Sequence, residues 1–116
     1  MAYKVFVVED EGMIALLLDD ILNALGHEVA GNAETVNDAL AFLEAHQADI
    51  AIVDLKLGDE ESYPVMMKLK EAGIPFAVAS GYGADIDRDR CGMEAGIIPK
   101  PYTLPDVERA LKSLKP

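Results

Sequence analysis

The sequence predicts an α/β fold in which a parallel sheet is covered by helices on both faces. Three observations predict it. Short runs rich in Val and Ile recur along the chain and mostly lack polar alternation, the habit of strands buried on both sides. Between these runs the apolar spacing lengthens to that of a helix. The order that results is β-α five times, and strand-helix-strand units close into parallel sheets by right-handed crossovers.

The strand runs are Val5–Val8, Ile50–Val53, Phe76–Ala79 and Ile97–Ile98, with a weaker one at Glu28–Ala30. Ile14, Leu17, Leu18, Ile21 and Leu25 follow one helical stripe, and Gly26 stands where a helix C′ glycine belongs. Thr35 and Asp38 fit a capping box ahead of Val36, Ala39, Leu40 and Leu43. Ser62, Tyr63 and Pro64 open a third stripe of Val65, Met66 and Leu69, with Met67 beside it read as core, and Gly73 closes it. Thr103 caps the last helix, whose apolar face is Val107, Ala110, Leu111 and Leu114. Residues 81–96 carry Gly81, Gly83, Gly92 and Gly96 in a polar setting, with Ile86, Met93 and Cys91 the residues to bury. Since each internal glycine costs a helix about 1 kcal/mol relative to Ala, a short, weak helix and the most mobile part of the chain are expected there.

Composition bounds the function. At 116 residues the chain is read as one domain over residues 1–116, large enough for a self-sufficient core. Ten Lys and Arg stand against 21 Asp and Glu, a formal charge of −11, so its field repels phosphate backbones and direct nucleic-acid binding is not expected. The lone Cys91 cannot form an internal disulfide and is read as a half-buried, unreactive thiol of a cytoplasmic protein. The longest apolar run, Met13 to Leu18, is far shorter than a membrane span requires. His27 and His46 read as solvated positions beside helix ends.

In a parallel sheet of this kind, ligands bind beyond the carboxyl ends of the strands, where the winding reverses. The residues there are Glu9, Asp10 and Glu11 after the first strand, Asp54 after the third, Ser80 after the fourth, and Pro99, Lys100 and Pro101 after the fifth. Taken singly, acids cap helices and Ser and Lys decorate surfaces. Together, Glu9, Asp10 and Asp54 would crowd three negative charges, so that one must hold a proton unless a cation joins them. An oxygen-only donor set suits a hard dication such as Mg²⁺, and the ammonium of Lys100 would complete the charge balance. A carboxylate so compensated is poised to receive a phosphoryl group, because catalysis of that transfer is mostly positioning and charge stabilisation.

This ordered constellation resembles the receiver domain of bacterial two-component response regulators over the whole chain. The resemblance implies a flavodoxin-like (βα)5 three-layer sandwich with strand order 2-1-3-4-5. It implies Asp54 as phosphoacceptor with Lys100 and Ser80 as catalytic partners, and Mg²⁺ held by Glu9, Asp10, Asp54 and the backbone carbonyl of Lys56. It further implies a cis Lys100–Pro101 bond, a protein that is not an enzyme beyond its own phosphotransfer and dephosphorylation, and a monomer or weak homodimer. The stretch Pro75 to Gly83, with Phe76, Ala77, Ser80, Gly81 and Tyr82, is similar to the Phe-Ala-Thr-Gly-Tyr signature of a stand-alone receiver subgroup. That likeness implies a histidine kinase of the HWE or HisKA2 type, or a phosphorelay protein, as partner, with Ser80 in place of Thr as a departure. The inward-rotating aromatic of many receivers is replaced by Ile97, which makes Tyr82 the substitute switch candidate. Tyr102 is expected to pack beside the lysine loop.

The main rival is a pseudo-receiver, an interaction module that uses no phosphate, which the intact acids and lysine argue against. A haloacid-dehalogenase-like phosphatase would need an Asp two residues after the nucleophile, where Lys56 stands. A flavodoxin-like FMN binder would need a phosphate cradle where the chain is acidic.

Overall fold

A computed structural model describes residues 2–81, 86–92 and 95–114. In chain order it contains β1 (Lys4–Val8), α1 (Gly12–Ala24), β2 (Glu28–Ala33), α2 (Val36–Ala45), β3 (Ile50–Asp54), β4 (Lys56–Leu57), β5 (Glu60–Glu61), α3 (Tyr63–Ala72), β6 (Phe76–Ser80), α4 (Arg88–Cys91), β7 (Gly96–Pro99) and α5 (Leu104–Leu114). The main sheet has five strands in the order β2-β1-β3-β6-β7, and each neighbouring pair runs parallel. This is the flavodoxin-like order expected, with the winding reversing between β1 and β3.

Alternation along the buried strands decides which helix each side chain meets. Phe6, Val8, Ala51, Val53, Phe76 and Val78 pack with Val36, Ala39 and Leu43 of α2 and Val65, Met66 and Leu69 of α3. Val5, Val7, Ile50, Ile52, Ala77, Ala79 and Ile98 pack on the other face with Leu18 and Leu22 of α1 and Val107 and Leu111 of α5. The strands therefore read as continuous apolar runs because both faces are covered. Each Val or Ile so buried contributes roughly 1.5–3 kcal/mol.

Local signals hold where a cap or a left-handed residue specifies the element. The Thr35 hydroxyl accepts from the Asp38 N–H at 3.0 Å. Gly26 and Gly73 close α1 and α3 with φ of +86° and +71°, angles that cost a residue with a Cβ. The Lys100–Pro101 bond is cis.

Several expectations are corrected. The buried stripe of α1 is Ala15, Leu18, Ile21 and Leu22, while Leu17 is 43% exposed. Met66 is core, but Met67 points outward at 57% exposure. Strand β2 extends to Ala33 and β7 spans Gly96–Pro99, longer than their apolar cores because ladder bonds continue past them. Cys91 is buried, not half-buried. His27 is partly enclosed: its Nδ1 accepts from the Tyr3 N–H at 3.0 Å and its ring stacks on Tyr3. Burial, and then the charge of the chain's amino terminus, lower the pKa of that imidazole. The antiparallel β4–β5 hairpin was not foreseen.

Among the described residues of 81–96, the helix is the single turn Arg88–Cys91. It is fastened to α3: the Asp87 N–H donates to the Tyr63 hydroxyl at 2.8 Å, Lys70 Nζ donates to the Arg90 carbonyl at 3.0 Å, and the Arg90 guanidinium lies 4.1 Å over the Tyr63 ring. Met93 and Tyr82 lie outside the described residues. Among the described residues, no helix is long and apolar enough to cross a membrane.

Candidate functional site

The carboxyl ends of β1 and β3 lie side by side, since Val8 pairs with Val53. The next residue of each strand therefore projects at the rim where the winding reverses. Glu9, Asp10 and Asp54 meet there, and one carboxylate oxygen from each lies within 4.8 Å of the others. Glu9 and Asp54 are buried. The Glu9 N–H donates to the Ala33 carbonyl of β2, and its carboxylate accepts from the Glu11 N–H at 3.2 Å.

Lys100 reaches this trio from the loop after β7. Its Nζ donates to Asp54 Oδ2 at 2.8 Å and to Glu9 Oε1 at 3.1 Å. The loop is registered by the Lys100 N–H donating to the Ser80 carbonyl at 3.0 Å. Burial works against the ammonium, but its bonds to Asp54 and Glu9 prevail, and its pKa lies above the ordinary lysine value. Glu9 takes the opposite consequence. Burial pushes its carboxyl from the ordinary 4.5 up to about 7; the Asp54 charge adds to the rise, and the Glu11 N–H and Lys100 oppose it. The acid expected to hold a proton in the absence of a cation is therefore Glu9.

Asp10 opens toward solvent and binds the β4–β5 hairpin, its Oδ2 accepting from the Gly58 N–H at 2.9 Å. That contact ties the hairpin turn, two residues beyond Lys56, to the rim. Ser62, buried at the start of α3, donates from Oγ to the Asp54 carbonyl at 2.6 Å and to the Leu55 carbonyl at 3.1 Å. The sequence showed Ser62 only as a helix opener. Nothing in its spacing pointed to the turn after Asp54, eight residues earlier in the chain.

Ser80 ends β6 half-buried, next to the β3 strand that carries Asp54. Ile97 is exposed on β7, and Tyr82 is not among the described residues. Tyr102 is buried beside the lysine loop, as expected, with the Lys100 ammonium 6.0 Å from its ring centre. The donor set fits a hard dication: it is all oxygen, and the ammonium that bonds two of the acids is on a flexible stem. Asp54 keeps about a tenth of its side chain open.

Comparison with known proteins agrees with this fold. A family model described as response regulator receiver domain matches residues 5–112. The solution structure of SdrG from Sphingomonas melonis Fr1 superposes with a TM-score of 0.84 at 36% identity, covering 96% of this chain and 94% of that one. The BeF3-activated conformation of SdrG superposes with a TM-score of 0.80 at 35% identity, covering 97% and 96%. The transcriptional regulatory protein PdtaR of Mycobacterium tuberculosis is 24% identical over 94% of this chain, which spans only 55% of that protein. With its parallel sheet, its acidic rim and its lysine loop, the chain belongs to the response regulator receiver domain family.

Proposed function

We propose that this receiver domain accepts a phosphoryl group on Asp54 from a phosphohistidine of a histidine kinase or phosphorelay protein, and signals by altered partner binding. The observation that carries the reading is the convergence of three carboxylates within 4.8 Å with one lysine bonded to two of them. A structural ion pair needs one acid per base. Two further acids held at the same rim serve a reaction in which a dication and a phosphoryl group take their place.

In this reaction a carboxylate oxygen of Asp54 forms a bond to phosphorus as the phosphorus–nitrogen bond of the donor breaks, and the donor imidazole leaves with its electron pair. Glu9, Asp10, Asp54 and the Lys56 carbonyl would hold Mg²⁺, whose charge offsets that of the phosphoryl oxygens. Lys100 follows the new charge from the Asp54 carboxylate to a phosphoryl oxygen, and the Ser80 hydroxyl accepts the same role on another. Ser62 keeps the turn after Asp54 in place throughout. The product carries about one negative charge more than the free carboxylate and adds acceptor oxygens, so the Ser80 and Lys100 loops are drawn inward. The 81–96 segment follows Ser80 in the chain and is expected to respond.

The donor docks on a surface that suits a protein: Met13 and Leu16 of α1 stand 85% and 64% exposed just beyond the acids. The likeness of Pro75 to Gly83 to the signature described above supports a kinase of the HWE or HisKA2 type. The test is phosphotransfer from such an autophosphorylated kinase. Wild-type chain should take up label in Mg²⁺, Asp54→Asn should take up none, and chelation should stop transfer. Equal labelling of Asp54→Asn, or a wild type that binds the kinase and takes no label, contradicts the reading.

A further inference from the structure

Tyr102 carries a polar atom that the site does not yet use. The residue is 4% exposed, and its hydroxyl is buried without a hydrogen-bond partner among the described residues. A buried hydroxyl left unpaired is costly, and a phenylalanine would fill the same space without that cost. The ring belongs to the core between the sheet, α1 and α5, and the Lys100 ammonium that bonds Glu9 and Asp54 lies 6.0 Å from the ring centre. Burial, and then the charges of Glu9 and Asp54, hold the phenol well above its ordinary pKa, so it is an O–H donor at every working pH.

The partner that would answer this donor is visible in the ion pairs. Lys100 Nζ serves Glu9 and Asp54 at once. When the ammonium moves to a phosphoryl oxygen, Glu9 Oε1, on a fully buried side chain, loses its only side-chain donor among the described residues. We propose that Tyr102 is a positioning residue of the phosphorylated state, its hydroxyl donating to the Glu9 carboxylate that Lys100 has vacated. The inference rests on the phosphoacceptor reading above. It explains why the loop carries a tyrosine whose oxygen is idle in the unphosphorylated chain: the unpaired hydroxyl disfavours the resting arrangement, and its pairing favours the activated one.

The test compares wild type with Tyr102→Phe in three measurements: thermal unfolding in a chelator, Mg²⁺ affinity, and affinity for beryllofluoride in saturating Mg²⁺. Tyr102→Phe should unfold at the same temperature as wild type or higher, bind Mg²⁺ within about twofold of wild type, and bind beryllofluoride roughly tenfold more weakly, an effect of the size expected for one hydrogen bond to a charged group. In the wild type alone, the hydroxyl proton of Tyr102 should become protected from exchange when beryllofluoride is added. Equal beryllofluoride affinity in the two proteins overturns the inference. So does a Tyr102→Phe chain that unfolds earlier in chelator, since its hydroxyl would then already be paired at rest. A wild type that fails to bind beryllofluoride at all removes the phosphoacceptor reading and this inference with it, so the two failures are told apart.

Discussion

Glu9 is where burial and charge meet most directly. A carboxyl whose folded pKa is about 7 against an ordinary 4.5 means that the metal-free fold binds more protons than the unfolded chain across that window. Its contribution to stability therefore falls as pH rises from 4.5 towards 7. A dication would reverse the preference by favouring the ionised form. Adding saturating Mg²⁺ to metal-free chain at pH 6.5 should thus release roughly three quarters of a proton, the protonated fraction for a pKa near 7; titration in weak buffer reads it directly, and no release would show that Glu9 is already ionised. At this scale the sequence was informative wherever chemistry sits at a strand end. Glu9, Asp10, Asp54 and Lys100 were legible from their order alone. Ser62 and the idle hydroxyl of Tyr102 were not, because their roles depend on which backbone atoms or empty spaces they face.

Elements were legible in proportion to how sharply their period or caps spoke. Helices α2 and α3 carry a cap or a closing glycine and were foreseen with their faces, except that Met67 of α3 points outward. In α1, six apolar residues in a row from Met13 to Leu18 satisfy more than one helical phase, so the stripe was placed on Leu17 when the sheet takes Leu22. The β4–β5 hairpin has two-residue strands, too short for any alternation to register. Strand β2 conceals a further constraint. A Cβ at Gly31 would lie 2.5 Å from the Phe42 ring of α2, and that ring is stacked on Phe6 at 4.1 Å and flanked by His46, so it is held on two sides. Gly31→Ala should destabilise the chain by about 1–3 kcal/mol, read from denaturant midpoints, and Gly31→Ala combined with Phe42→Leu should recover part of the loss. An unchanged midpoint would mean that α2 can shift away from β2.

Across the whole molecule, one topological fact joins fold to function: the sheet reverses its winding between β1 and β3, and the acids stand at that reversal. Both helical layers bury apolar strands continuously up to the rim, so the charges lie at the end of a dry core and must be compensated locally. In the metal-free chain Lys100 does this by bonding two of the three. On the proposed function, exchange of that ammonium for a dication and a phosphoryl group would convert the same crowding into a reaction centre, and the loops that carry Ser80 and Lys100 would transmit the change. The most direct measurement is to treat the chain with acetyl phosphate, reduce the product with borohydride, and map the modified residue by peptide mass spectrometry. The account predicts reduction of an acyl phosphate at Asp54 alone, in Mg²⁺ and not in a chelator. A phosphoryl group on another residue, or equal modification without a divalent ion, would contradict it.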